Sequence, residues 1–260
     1  MPIDRYSVSS VPLRLTVGNV ALGKGTGFFY ERNGSTFIVS NWHVLSGRNP
    51  IDGQPTNRNG AIPTNLEFPA CVRGQLGSWR NEQIDLVDEG GVPRWRQHGN
   101  RGQDVDIAIL QIDGLSEGNE VHPINTAPVQ SDMALMVGMD VYVLGFPLGQ
   151  SFTACLPVWK RASIASEPDV NLDNGDQCFL IDTATREGMS GSPVITKNVG
   201  SAILEDGGMK MGGIYYRPLG VYSGRYVGDE LSEMHLGKVW KWALVDEIID
   251  NGVAGAFEIR

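Results

Sequence analysis

Glycine constrains this chain more than any other feature. It supplies 33 of 260 residues, about one in eight against an ordinary share of ~7%. Without a side chain, glycine weakens helix interiors and accepts the left-handed backbone that tight turns need. A further 14 prolines add breaks, and no internal repeat orders them. The expectation is many short strands joined by tight turns, not a helical bundle.

The length allows one large domain or two medium lobes. A chain of this size buries enough surface to fold without a metal or a crosslink. With 41% apolar and 20% charged residues, it is not disordered. A net charge of −9 repels phosphate backbones and anionic lipid, which argues against nucleic acid and membrane as general partners. Cys71, Cys155 and Cys178 are odd in number and form no CxxC pair, so reduced thiols are expected. Together with 4 scattered His they give no zinc spacing, and no cofactor is expected. The start, Met1-Pro2-Ile3-Asp4-Arg5-Tyr6, lacks the basic and apolar stretches of a signal peptide. No window holds about 18 consecutive apolar residues. A cytoplasmic protein is therefore expected.

Along the chain, residues 13–17 alternate as a half-buried strand does. Gly25-Thr26-Gly27 leads into Phe28-Phe29-Tyr30, and Asn33-Gly34 turns that strand back into Thr36-Phe37-Ile38-Val39. Residues 46–104 are rich in Asn, Gly, Pro and Arg, with strand-like patches at 66–72 and 84–87. Residues 105–112 read as a clear strand, and 113–135 as a connection. Further strands are expected at 141–146, 162–166, 177–181, 193–196 and 212–222. Asp173-Asn174-Gly175 reads as a hairpin turn better than as a calcium loop, because the required Gly is displaced and Leu180 replaces the closing Glu. From Leu236, the positions Val239, Trp240, Ala243, Leu244 and Ile248 follow helical spacing up to a Gly252 cap. The coarse picture is two antiparallel β lobes, residues 1–115 and 136–260, a linker over 116–135, and a terminal helix.

Three stretches carry chemistry. His43 follows the strand that ends at Val39. Asp106 opens the apolar run Ile107-Ala108-Ile109-Leu110. Ser190 sits in Gly188-Met189-Ser190-Gly191-Ser192-Pro193. Singly, each has an ordinary structural explanation: a capped surface His, a turn Asp, a Gly-rich turn. Together they supply what nucleophilic acyl transfer needs: a hydroxyl, an imidazole to take its proton, and a carboxylate to fix the imidazole's tautomer. Gly flanking the serine exposes backbone N–H groups toward a developing oxyanion. Asp104 competes with Asp106 for the carboxylate role. An esterase of the α/β-hydrolase type is disfavoured, because Ser192 stands at the last Gly of its elbow and the nucleophile comes last in the chain.

These motifs resemble those of the chymotrypsin-like (trypsin-fold) serine peptidases, in particular the bacterial branch that includes HtrA-type proteases and glutamyl endopeptidases. The resemblance is carried by Gly25-Thr26-Gly27-Phe28, Asn41-Trp42-His43-Val44, Asp106-Ile107-Ala108-Ile109-Leu110, Gly145-Phe146-Pro147-Leu148-Gly149 and Gly188-Met189-Ser190-Gly191-Ser192-Pro193, in family order over nearly the whole chain. It implies an all-β fold of two antiparallel six-stranded β-barrels with a C-terminal helix. It implies a serine endopeptidase acting on protein or peptide substrates, with His43 as base, Asp106 as orienter, Ser190 as nucleophile, and the N–H groups of Gly188 and Ser190 as oxyanion hole. Ala184, Thr185, Glu187, Ser223, Gly224 and Arg225 take the positions of the substrate pocket.

The departures carry information too. Met189 stands where trypsin has the Asp that pairs with a freshly cut N-terminus, so activation by that route is not expected. Ala184 stands where trypsin holds the carboxylate that selects Lys and Arg. No His lies near Ser223 to read an acidic side chain; Arg225, beside the strand 220–224, is either a substitute cation or a solvated edge residue. A binding or regulatory protein that has lost turnover is the alternative reading. An activating or inhibiting protein partner and the purpose of residues 46–104 stay open at this level.

Overall fold

The computed structural model describes residues 3–112, 114–225 and 235–256. The strands of the first half are β1 (Ser10–Val17), β2 (Val20–Arg32), β3 (Ser35–Ser40), β4 (Asn65–Val72), β5 (Gln75–Asp85), β6 (Arg96–Gln97), β7 (Ala108–Ile112) and β8 (Asn119–Glu120). Those of the second half are β9 (Asp140–Gly145), β10 (Val158–Ile164), β11 (Cys178–Asp182), β12 (Pro193–Ile203), β13 (Met209–Arg225) and β14 (Leu236–Lys241). Helix α1 (Trp42–Ser46) follows β3. Helix α2 (Ala243–Asn251) is followed by β15 (Val253–Ala254).

The turn chemistry is visible at once. Asn33 and Gly34 both take positive φ, 53° and 76°, and close the β2–β3 hairpin. Strands β9 to β14 form a closed six-stranded barrel in the order β10-β11-β14-β13-β12-β9. The first sheet differs from the expected second barrel. It is a nine-stranded open path, β15-β6-β7-β3-β2-β1-β4-β5 with β8 on β4, and its end strands do not pair among the described residues. After β5 the chain leaves the ladder in a turn where Gly91 N–H donates to Asp88 O at 2.9 Å. Pro93, which has no N–H to donate, follows directly.

Residues 236–241 are a strand, not the start of a helix. β14 pairs with β11 (Cys178 opposite Trp240) and with β13 (Gly220 opposite Lys241). Successive side chains on a strand point to opposite faces. Val239 enters the barrel core while Trp240 packs in the cluster between the lobes. Both faces are buried, so two adjacent apolar residues imitate helical spacing. The true helix starts at Ala243 and ends where Gly252 N–H donates to Ile248 O at 2.9 Å. Asp173-Asn174-Gly175 does make a turn, with Gly175 N–H donating to Leu172 O. It lies inside the long β10–β11 connection instead of closing a tight hairpin.

Three apolar clusters hold the molecule. One fills the first sheet around Phe29, Ile38, Trp42, Phe68 and Trp95. A second fills the barrel around Val143, Phe179, Met189 and Tyr222. The third joins them: Phe28, Tyr30 and Ile109 meet Leu144, Ile195, Trp240 and the Leu244, Val245 and Ile248 face of α2. Polar contacts reinforce this seam, since Tyr30 hydroxyl donates to Asp246 at 2.7 Å and Arg32 pairs with Asp246 and Asp250. β15 then adds to β6 of the first sheet. Among the described residues no helix is long and apolar enough to cross a membrane. All three cysteines are free, with Cys71 and Cys178 buried.

Candidate active site

The site lies where the two sheets face one another. At the end of β3, α1 makes barely more than one turn before Gly47, in the left-handed conformation at φ 65°, ends it. One face of α1 is anchored: Trp42 is buried, its indole N–H donates to Gln97 at 2.8 Å, and its ring meets Trp95 edge-on. The other face presents His43, whose side chain is 25% exposed.

Asp106 precedes β7 and is 5% exposed. Its Oδ1 accepts the His43 backbone N–H at 2.9 Å, and its Oδ2 lies 2.7 Å from His43 Nδ1. Ser223 Oγ donates to the same Oδ2. The Asp106 backbone carbonyl accepts from Asn41 Nδ2 at 2.7 Å. Carboxylate and imidazole are thus fixed from several directions. Burial works to lower the His43 pKa, but the charge and hydrogen bond of Asp106 outweigh it, and the net pKa lies above the ordinary histidine value. Asp104 is exposed, and its backbone N–H donates to Arg101 O; its carboxylate makes no hydrogen bond to His43 among the described residues.

Ser190 is half-buried on the loop before β12. Gly188 takes φ +88°, and a Cβ there would meet Phe146 O and Gly149 N at 2.6 Å. Gly191 takes φ +86°, and a Cβ there would collide with Thr26 O. Only glycine fits either position. Thr26, on β2 of the first sheet, ties the loop down. Its N–H donates to Ser190 O at 2.9 Å, its hydroxyl donates to Gly188 O at 2.7 Å, and that hydroxyl accepts from Phe146 N at 3.1 Å. Ser40 Oγ in turn donates to Thr26 O at 2.7 Å. Among the described residues, neither Gly188 N–H nor Ser190 N–H donates to another protein group. Met189 is fully buried in the barrel core.

His43 and Ser190 share the wall of a cavity of about 390 Å³, with Gly188, Glu187, Lys24, Thr56 and Pro63 among its other walls. No hydrogen bond joins the Ser190 hydroxyl to His43 in this state. A second cavity, of about 780 Å³, lies on the other side of His43, with Ile51, Arg101, Asp104, Ser223 and Trp240 in its lining. Residues from 46–104 wall both cavities, which gives that long region a place at the site.

The residues at the pocket positions divide. Gly224, at φ +101°, has its Cβ direction open toward Ser190 Oγ at 3.8 Å. Ala184 and Glu187 are exposed, and Glu187 belongs to the smaller cavity with Lys24. Thr185 is buried and bonded to the Tyr222 hydroxyl. Ser223 donates its hydroxyl to Asp106 and lines the larger cavity. The Arg225 side chain lies outside the described residues. Sequence reasoning did not single out Thr26, Asn41 or Ser40 as parts of the site. Thr26 and Asn41 lie inside motifs that carry the resemblance and Ser40 directly precedes one, which is the one signal the sequence holds for them.

Residues 25–203 match a family model described as a trypsin-like peptidase domain. No curated protein sequence matches the chain. Among solved structures, the active form of the Rv3671c protease of M. tuberculosis is 19% identical, over 96% of this chain and 84% of that one, at a TM-score of 0.52. The HtrA-type protease AlgW with a tripeptide is 14% identical over 95% of this chain, at a TM-score of 0.54. A serine endoprotease from Yersinia pestis is 12% identical over 96% of this chain, at 0.51. This chain spans only 60% of AlgW and 66% of the Yersinia enzyme. At such identities the likeness is one of fold.

Proposed function

The chain belongs to the trypsin-like peptidase family, and from that premise we propose that it is a serine endopeptidase working through His43, Asp106 and Ser190. The observation that carries the reading is the 2.7 Å contact between His43 Nδ1 and Asp106 Oδ2, with Ser190 on the wall of the same cavity as the imidazole. A carboxylate on Nδ1 holds the proton there and leaves Nε2 free to act as base.

In the proposed reaction a peptide carbonyl enters between Ser190 and His43. Ser190 Oγ attacks the carbonyl carbon while its proton passes to Nε2. The imidazolium forms beside Asp106, whose charge already favours that state. The oxyanion is received by the N–H groups of Gly188 and Ser190, which have no other protein acceptor among the described residues. The imidazolium then protonates the leaving amine, and an acyl-enzyme on Ser190 remains. A water molecule, deprotonated by the same imidazole, releases the acid. Catalytic hydrogen bonds often tighten only when substrate binds, so the missing Ser190–His43 bond fits a resting state. Residues 1–115 and 136–260, joined through 116–135, are taken as the two lobes of one peptidase domain.

A fluorophosphonate probe tests this directly. Covalent labelling of Ser190, lost in Ser190→Ala with unchanged circular dichroism, supports a competent nucleophile. A folded protein that never labels, and never cleaves a denatured protein substrate, points to the binding role instead.

A further inference from the structure

Sequence spacing gives no zinc pattern, yet the fold assembles one set of donors away from the candidate active site. β4 pairs antiparallel with β8, and this places Cys71 directly opposite Glu120. Residues directly opposite on an antiparallel pair share a face. His122 follows two residues later, just past the end of β8. The Cys71 sulfur, a Glu120 carboxylate oxygen and a His122 ring nitrogen accordingly all lie within 4.8 Å of one another. None of the three lines either cavity that contains His43.

We infer that Cys71, Glu120 and His122 bind a zinc ion on the first sheet. The state of each side chain supports this beyond proximity. His122 Nε2 is buried with no hydrogen-bond partner, and it sits 4.0 Å from Glu120 Oε1, too far for a hydrogen bond. A buried nitrogen left unpaired is costly, and a metal ion satisfies it. Glu120 is already positioned, its Oε1 accepting from Gly74 N–H at 3.1 Å. The Cys71 sulfur makes long contacts to Val72 O and Gln75 O and lies by the Gly77 backbone.

A thiolate, an imidazole and a carboxylate form a mixed soft and borderline set that suits zinc over calcium or magnesium. Thiolate and carboxylate bring two negative charges to offset Zn²⁺. Ligand distances of about 2.0–2.3 Å put donors in a tetrahedron roughly 3.5 Å apart, so closure needs side-chain adjustment of about 1 Å. Water takes the fourth position. On binding, the Cys71 thiol gives its proton to solvent as the zinc–sulfur bond forms. The ion would tie β4 to β8, at the point where the chain leaves the first sheet for the barrel.

The test is Co²⁺ titration of the full chain after dialysis against a chelator. Expected is a thiolate-to-cobalt charge-transfer band that saturates at one equivalent and is abolished by Zn²⁺. Cys71→Ser should remove the band, and His122→Gln should weaken binding roughly tenfold or more. His122 is one-third exposed, so His122→Gln keeps the fold and decides the matter even where Cys71→Ser does not fold. Zn²⁺ should also raise the melting temperature of the wild type but not of His122→Gln. Absence of the band, its survival in Cys71→Ser, or unchanged affinity in His122→Gln would overturn the assignment.

Discussion

The hydroxyl of Thr26, on the first sheet, donates to the carbonyl of Gly188, on the nucleophile loop of the barrel, at 2.7 Å. One side chain thereby carries the position of one lobe to the Ser190 loop of the other. Its backbone does the same for Ser190, accepted at 2.9 Å.

Thr26→Val keeps the side-chain shape and removes the hydroxyl. It leaves Gly188 O without its donor and Phe146 N without its acceptor. Each unsatisfied group costs about 1–3 kcal/mol, so the urea midpoint should fall measurably. The loop that holds the proposed oxyanion donors should also loosen. A loss of kcat on the order of tenfold to 100-fold, with little change in KM, is expected from a positioning residue. Thr26→Ser should restore most of both. Equal kcat in Thr26→Val and wild type would separate the seam from catalysis.

Asp106→Asn keeps the volume but lets the amide hold the imidazole in the wrong tautomer. A fall in kcat on the order of 10⁴-fold near neutral pH is expected; Ser190→Ala should cost at least as much, His43→Ala about the same as Ser190→Ala, and the Ser190→Ala/His43→Ala double mutant no more than either. Asp104→Asn should leave kcat/KM nearly unchanged, since Asp104 is exposed while Asp106 receives His43 N–H and faces Nδ1. The reverse pattern would hand the orienting role to Asp104.

Much of this arrangement is legible in the sequence, and the reasons are physical. Glycine at 188 and 191 is forced by positive φ and by close backbone, so the loop announces itself in the chain. The short α1 is not legible, because five residues are too few to show helical spacing; only the place of His43 just after a strand is. β14 is not legible, because Val239 and Trp240 are buried on opposite faces and erase the alternation that marks a strand. Long-range partners are hidden for a different reason. Thr26 meets Gly188, and Ser223 meets Asp106, only after two sheets have packed.

The raised pKa of His43 fixes the direction of a pH effect. As general base the imidazole must be neutral, so activity appears as pH rises through its folded-state pKa. The acid limb of kcat/KM should therefore sit above the ordinary histidine value of about 6.5, and Asp106→Asn should move it down. Stability follows the opposite sense. The folded state holds the proton more tightly than the unfolded chain, so this contribution is fully present below the unfolded pKa. It is lost as pH rises through the folded one. A pH series of urea midpoints, wild type against His43→Ala, reads that difference. An acid limb below pH 6 in the wild type would contradict the electrostatics of the pair.

In the proposed peptidase, substrate choice is expected to follow from Ala184 and Gly224, the positions that the family resemblance assigns to the pocket. Ala184 brings no charge there. Gly224 leaves the approach to Ser190 open. A lysine or arginine side chain bound there meets no carboxylate to offset the hydration it gives up on binding. An apolar side chain instead gains about 25 cal/mol for each Å² it buries. Since each 1.4 kcal/mol is tenfold, small and medium apolar residues should exceed Lys and Arg by roughly 100-fold or more in kcat/KM. Peptide-library cleavage by wild type, with Ser190→Ala as the blank, gives the ratio. The substitution Ala184→Asp should then raise cleavage after Lys and Arg while depressing the apolar substrates. Efficient cleavage after Lys or Arg by the wild type would mean that a carboxylate reaches the pocket from elsewhere. Glu187, exposed one residue before Gly188, is the side chain to replace first, and loss of basic specificity in Glu187→Gln would identify it as the source.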